Sequence, residues 1–374
     1  MRIVILGAGF GGLELASRLS DEIGDDLECT LIDQADAFVF GYSKLDLLFG
    51  KASADAIRVP YSELAKRGVR FRQEEIVSID PDARRIVTDL DTYDADALVI
   101  ALGADYDTAA TPGLADAAEF YSFDGALRAR ERLQSFMSGN AVVGVCGPQF
   151  KCPPAPSEAV LLLDAYLRDR AVRDASTITL VMPFGTPIPP SPETSQALLE
   201  RFAEVDIRFV AQHRVTSYDA GGARVMLDDG SELPCDLFLA IPVHRSPVVV
   251  EASGLTEDGW IPVDRGTLAT RFPGVYAVGD VTSVGTAKAG VFAEGAARVV
   301  ADELIAQATG EDPPAPYDGR AACYVEWGDD LVARVTVDFF SGPSPTGTFF
   351  EPSREITEEK AAFGASRRAR WFAA

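Results

Sequence analysis

The apolar residues of this chain fall into short continuous runs more often than alternating ones. Arg2-Ile3-Val4-Ile5-Leu6, Cys29-Thr30-Leu31-Ile32-Asp33, Ala97-Leu98-Val99-Ile100-Ala101-Leu102-Gly103-Ala104, Asn140-Ala141-Val142-Val143-Gly144-Val145-Cys146-Gly147, Thr177-Ile178-Thr179-Leu180-Val181 and Gly274-Val275-Tyr276-Ala277-Val278-Gly279-Asp280 all have this form. A strand looks like this when helices cover both faces of its sheet, as in parallel sheets. Helical patterns lie between the runs: Leu13 to Leu19, Ser157 through Arg168, and Phe292 to Ile305. The alternation predicts an α/β chain with two doubly wound, Rossmann-like half-folds. Asp228-Asp229-Gly230-Ser231, between apolar stretches, reads as a hairpin turn.

The first strand runs directly into Gly7-Ala8-Gly9-Phe10-Gly11-Gly12. At this spacing Gly7 allows a tight turn, Gly9 lets backbone approach a pyrophosphate, and Gly12 lets the helix pack closely on the strand. The helix N-terminus faces the phosphates, and Asp33, closing the second strand, is placed to accept from a ribose hydroxyl. The alternative for any one such pattern is a glycine turn without ligand. Here strand, glycines, helix, second strand and acid follow in order, which points to a dinucleotide but does not separate FAD from NAD.

Two later runs bear on that choice. Ala101-Leu102-Gly103 and Gly279-Asp280 close segments that resemble two signatures of the flavin disulfide-reductase superfamily. The resemblance implies FAD, with the first segment beside its adenosine part and Asp280 bonded to a ribityl hydroxyl. Without the family, Asp280 reads as a cap at a strand exit. The run ending in Gly147 opens a second half-fold, where flavin reductases that use NAD(P)H usually repeat the glycine fingerprint. This chain instead has Gly147-Pro148-Gln149-Phe150-Lys151-Cys152-Pro153-Pro154. Proline removes amide donors and bulk blocks close backbone approach, so NAD(P)H is not expected to be the physiological reductant.

Charge and cysteine count narrow the partners. With 34 Lys+Arg against 57 Asp+Glu, the net charge of −23 argues against nucleic acid. Five cysteines in 374 residues are too few for a disulfide scaffold. Met1-Arg2 leads straight into a strand and no run is long enough to span a bilayer, so the expected location is the cytoplasm, with at most peripheral contact at the inner face of the membrane. No metal site is read.

The segment Lys151-Cys152-Pro153-Pro154-Ala155-Pro156 resembles the motif of flavocytochrome c sulfide dehydrogenases and sulfide:quinone oxidoreductases. Ile241 to Pro247, Gly259 to Asp264, Ala287-Lys288-Ala289-Gly290 and Ala322-Cys323-Tyr324-Val325-Glu326 match later blocks of the same family, so the resemblance runs essentially the whole chain. It implies that Cys152 and Cys323 form a redox-active pair on one face of the flavin. In the implied cycle hydrosulfide attacks a Cys152–Cys323 disulfide, one sulfur becomes a persulfide, and the freed thiolate reduces FAD. Further sulfide releases polysulfide, and quinone or a protein acceptor reoxidises the flavin. The alternative is a pair of reduced, structural cysteines, the reading given to Cys29, Cys146 and Cys235.

The departures carry information too. Asp105 to Asn140 lacks the third cysteine of many sulfide:quinone oxidoreductases, and Phe40-Gly41-Tyr42-Ser43 lacks the cysteine that tethers flavin in the flavocytochrome type, so FAD is expected to be noncovalent. Lys288 is placed either to stabilise the anionic reduced ring at its pyrimidine edge or to sit in solvent. His213 and His244 read as surface or satisfied histidines. The expected organisation is an FAD domain of residues 1–106 and 250–310, a second half-fold of 107–249, and a C-terminal α+β cap of 311–374 that brings Cys323 over the flavin. Pro313-Pro314-Ala315-Pro316 reads as a linker. The basic and aromatic end, Ser366 to Phe372, is short and is expected to dock on its own domain or on a dimer mate. Two other readings stay open: a quinone reductase without sulfur chemistry, and a flavin-binding electron-transfer subunit.

Overall fold

The computed structural model describes residues 1–310, 312 and 315–373. Two five-stranded parallel sheets organise it. The first has the spatial order Val275–Ala277, Ala97–Ile100, Arg2–Leu6, Glu28–Asp33, Val69–Gln73. The strand Val275–Ala277 comes from a part of the chain far from the other four. The second has the order Ala118–Glu119, Leu237–Ile241, Gly139–Val145, Ser176–Met182, Ile207–Ala211. The α/β class and both doubly wound halves expected from the apolar runs are present. A short antiparallel pair, Asp105–Asp107 with Val243–Arg245, lies where the chain passes between the sheets.

Helices cover the apolar strand faces. The first helix, Phe10–Ile23, buries Leu13, Leu15, Ala16 and Leu19 against Ala296, Ala297, Val300 and Leu304 of the long helix Gly290–Thr309. Gly12 lets this helix start close against the first strand and its turn: a Cβ there would lie 1.9 Å from the Gly7 carbonyl oxygen. The strand from Ala97 ends at Ile100, earlier than the apolar run. Beyond it the backbone of Ala101 passes under the glycine loop, where a Cβ on Gly7 would come within 2.4 Å of the Ala101 oxygen.

The C-terminal part forms a three-stranded antiparallel sheet, Arg320–Gly328, Leu331–Asp338 and Thr346–Ser353, followed by the helix Arg354–Phe372. The linker reading at Pro313 and Pro314 lies outside the described residues. The expectation of a short terminal segment needs correcting, since Ser366 to Phe372 form the last turns of a 19-residue helix. That helix ends on the glycine-loop side of the FAD half. Trp371 is fully buried among Phe10, Phe38 and Phe40, and its indole N–H donates to Glu14 Oε2 at 2.8 Å. Arg298 and Arg370 also donate to Glu14, at 2.8 and 2.9 Å, so the buried carboxylate is held ionised.

Candidate active site

A cavity of about 330 Å³ opens between the glycine loop and the second half-fold. Gly9, Phe10, Gly11 and Asp33 line one part of it, and Tyr121, Lys151 and Cys152 another; Ala101, Gly103, Gly279 and Asp280 also face it. Gly7 and Gly12 shape the loop without lining the wall. Leu102 does not line it either and packs with Leu6, Ile100 and Val281 in a core cluster. Asp33 accepts from the amide of Ala8 at 2.7 Å, which ties the second strand to the glycine loop.

The fit to FAD rests on two features. The glycine cradle leaves the space that side chains would fill: a Cβ on Gly9, Gly41 or Gly103, which line the cavity, would meet no protein atom within 4 Å. Asp280 Oδ1 is buried and has no hydrogen-bond partner. A carboxylate oxygen is costly to leave so, and a ligand hydroxyl in the cavity would satisfy it.

Cys152 sits three residues before the helix Ala155–Asp169 of the second half-fold. Its φ is +55°, a left-handed conformation that costs a non-glycine residue energy and recurs at functional sites. Two backbone bonds hold it there: its amide donates to the Lys288 carbonyl at 2.7 Å, and its own carbonyl accepts from Ala155 at 2.9 Å. Cys323 arrives from the cap strand Arg320–Gly328. All five cysteines are free thiols. Burial pushes Cys152 well above its ordinary pKa, and the charges of Glu158 and Cys323 add to this. Cys323 is pushed up to about 12 by burial and then by Glu158. The two thiols and Glu158 are thus close enough to act on one another electrostatically. Cys29, Cys146 and Cys235 are buried in the core clusters.

Cys323 faces a second, larger cavity of about 520 Å³, walled by Phe150, Pro190, Trp260, Phe339 and Lys288. Lys288 is therefore on this wall, not on that of the first cavity. Its ammonium donates to the carbonyls of Asp280 at 2.6 Å and Thr282 at 3.0 Å and lies 3.3 Å from the Trp260 ring centroid. That arrangement replaces the solvated lysine left open by the sequence.

Several residues at the site carry no sequence signal that singled them out. Glu158, in the first turn of the helix that follows Cys152, is 2% exposed and lines the first cavity. Burial drives its carboxyl up to about 7, against the pull of Lys360. Lys44 is unremarkable within Tyr42-Ser43-Lys44-Leu45, yet it faces the first cavity and bonds the Tyr121 carbonyl. His213 is a partly exposed partner of Asp228, as expected of a surface histidine. His244 is only half satisfied. Its Nδ1 bonds the Pro242 carbonyl at 2.8 Å while Nε2 is buried without a partner. Burial and then Lys151 push it down to about 3, so the ring is neutral.

Comparison with known proteins agrees with this architecture. The chain is similar over 373 residues, at 24% identity, to a mitochondrial sulfide:quinone oxidoreductase of Mus musculus, a match covering 95% of this chain and 82% of the mouse protein. It is 26% identical over 359 residues to a sulfide-quinone reductase of Aquifex aeolicus, covering 88% and 81% respectively. The solved structure of the sulfide:quinone oxidoreductase from Aquifex aeolicus superposes with a TM-score of 0.88 at 23% identity over 99% of this chain and 92% of that one, a likeness of fold. A 150-residue stretch, 37% of each protein, is 35% identical to a demethylphylloquinone reductase of Synechocystis. Residues 1–301 match the family described as pyridine nucleotide-disulphide oxidoreductase. With that match over most of its length, and a glycine cradle and orphaned aspartate suited to the cofactor, the chain belongs to the pyridine nucleotide-disulphide oxidoreductase family and is an FAD-dependent oxidoreductase.

Proposed function

We propose that the protein oxidises sulfide, or a related small sulfur species, through Cys152 and Cys323 and passes the electrons by way of noncovalently bound FAD to a quinone. The observation that carries this reading is that both thiols pack against one core cluster, with Cys152 and Glu158 facing the dinucleotide cavity and Cys323 the separate apolar one. FAD held by Gly9, Phe10, Gly11, Asp33 and Asp280 would supply the two-electron acceptor.

Both thiols are poor nucleophiles as they stand, since only thiolates attack and burial holds both protonated. Glu158 acts on both thiols and is the group suited to take their protons, with a pKa near 7 that suits a general base. Oxidation of the pair gives a disulfide and releases two electrons and two protons. Hydrosulfide reopens that disulfide, leaving a persulfide on one cysteine and a thiolate on the other. A second hydrosulfide removes the outer sulfur as hydrodisulfide and restores the dithiol.

The cavity at Cys323 and Lys288 suits the acceptor. Its rings and prolines favour a flat apolar molecule, and Lys288 provides a cation at its inner wall. NAD(P)H is not the reductant in this reading, because prolines and Phe150 stand where a second glycine loop would be.

Anaerobic titration of the FAD-loaded protein with sulfide tests the reading. Rapid bleaching or a long-wavelength charge-transfer band is expected in the wild type and in neither Cys152→Ser nor Cys323→Ser. An unchanged flavin spectrum in the wild type would rule sulfide out. Rapid, saturable reduction by NADH would overturn the assignment of the electron donor.

A further inference from the structure

Tyr121 lies between the short strand Ala118–Glu119 and the helix Phe123–Ser135, lines the first cavity and is 5% exposed. Its main chain is fixed on both sides. The amide donates to the Glu119 carboxylate at 2.9 Å, and the carbonyl accepts from Lys44 and, at 2.9 Å, from the Tyr106 hydroxyl. The ring is held as well, tilted against Phe120 with centroids 5.2 Å apart and edge-on to His244 at 5.3 Å. With backbone and ring so placed, the hydroxyl is the one part left over: among the described residues Tyr121 Oη is buried without a hydrogen-bond partner. His244 Nε2 is bare too, yet the edge-on packing brings no bond between them.

A phenylalanine would fill the same space without the cost of an unpaired buried hydroxyl. The hydroxyl therefore calls for an acceptor in the working protein. Cys152, Glu158 and Lys151 share its cavity. Burial and then the charge of Cys152 push the Tyr121 hydroxyl well above its ordinary pKa, so it keeps its proton and can only donate in that direction. A protonated thiol is a weak acceptor, whereas a thiolate is a strong one.

We infer that Tyr121 Oη donates a hydrogen bond to the Cys152 sulfur when that sulfur carries negative charge, and so holds and stabilises the thiolate that faces the cofactor. This rests on the reading of Cys152 as the thiol that acts at the flavin. Glu158 takes the thiol proton and Tyr121 grips the sulfur left behind, so no proton passes through the tyrosine. The other groups that act on Cys152 are Glu158, Cys323, Lys360 and Lys44, with Lys151 beside it in the chain. Those around Tyr121 are Tyr106, Glu158 and His244. All of them stay in place in Tyr121→Phe, so a change in that variant belongs to the hydroxyl.

The test is a pH titration of the Cys152 thiolate in the FAD-loaded, thiol-reduced protein without sulfide, comparing the wild type with Tyr121→Phe. Two signals report it: the long-wavelength band of a thiolate beside oxidised flavin, and the rate at which methyl methanethiosulfonate labels Cys152, followed by peptide mass. Loss of the hydroxyl should raise the midpoint of the band by about one pH unit, a tenfold loss of thiolate below the midpoint. Labelling at a fixed pH should slow by only about threefold, because the more basic thiolate is also the better nucleophile. FAD affinity and the flavin midpoint potential should stay as in the wild type. Equal titrations and equal labelling in the two proteins would overturn the inference. So would a changed FAD affinity or potential with the thiolate unmoved, because the hydroxyl would then serve the cofactor. If the wild type shows no band at any pH, the reading of Cys152 as the thiol at the flavin fails, and the labelling rates still decide whether Tyr121 bonds its sulfur.

Discussion

Replacing Glu158 by Gln should remove one pH-dependent contribution to stability, read as a difference between variant and wild type that grows with pH. The carboxyl is 2% exposed, and burial moves it from an ordinary 4.5 to about 7, with Lys360 and the Glu326 amide only partly offsetting this. Between those two values the folded protein keeps a proton that the unfolded chain has released. The folded state then binds more protons, so stability falls as pH rises through this window and levels off above about 7. The full loss is about 3 kcal/mol, of which about 2 kcal/mol falls between about pH 5.5 and pH 8. That range stays above the isoelectric point near 4.5, where the protein would tend to precipitate.

Gln has the shape of the protonated acid and still presents an oxygen to the Glu326 amide, now 3.0 Å away. The variant should therefore exceed the wild type by about 1 kcal/mol near pH 5.5 and by about 3 kcal/mol near pH 8, the gap widening by about 2 kcal/mol. Urea denaturation of the FAD-loaded proteins at both pH values measures this, since urea leaves the effects of the −23 net charge unscreened. In the same window, turnover of the wild type should rise as the carboxylate forms and becomes able to accept thiol protons. A stability offset of equal size at both pH values would refute the reasoning, because Glu158 would then keep one protonation state throughout.

Other outcomes follow from the same geometry. Gly12→Ala should abolish FAD retention on gel filtration, because its Cβ would meet the Gly7 oxygen at 1.9 Å and force helix and strand apart; wild-type flavin content would contradict this. Trp371→Ala should cost about 3–5 kcal/mol in urea denaturation and weaken FAD binding, since it removes the ring packed on Phe10 and one donor to Glu14. Trp371→Phe should recover the packing and most of the FAD affinity. Asp280→Ala should weaken FAD by about 1.5–3 kcal/mol by isothermal titration if Oδ1 receives a cofactor hydroxyl, and should leave affinity unchanged if it does not.

The parallel sheets could be read from the sequence because continuous apolar runs and glycine spacing are local properties. Arg2–Leu6, the glycine loop and Asp33 occupy one contiguous stretch, and their roles follow from order alone. Cys152 and Cys323 were found through resemblance, not periodicity, because 170 intervening residues give no local sign that the cap strand returns to the second half-fold. Lys44 and Glu158 escaped for a related reason. Lys44 looks like any surface lysine until Tyr121 from the other half-fold covers it, and Glu158 looks like an ordinary first-turn acid in a helix. Leu102 shows the opposite error: adjacency to Ala101 and Gly103 suggested a place on the cavity wall, but alternation along the chain points its side chain into the core.

The position of Cys152 links these parts into one device. Its left-handed backbone is held by an amide bond to the carbonyl of Lys288, while the Lys288 side chain bonds the carbonyl of Asp280. A single residue of the FAD half therefore fixes both the strained cysteine and the backbone of the aspartate that the cofactor is expected to meet. Displacing Lys288 would move the thiol and the flavin contact together. Strain at Cys152 is tolerated because Pro153, Pro154 and Pro156 limit the ways the turn can relax and the helix beginning at Ala155 anchors its far side. The same local sequence thus crowds the turn where a second glycine loop would lie and holds the cysteine in its left-handed backbone.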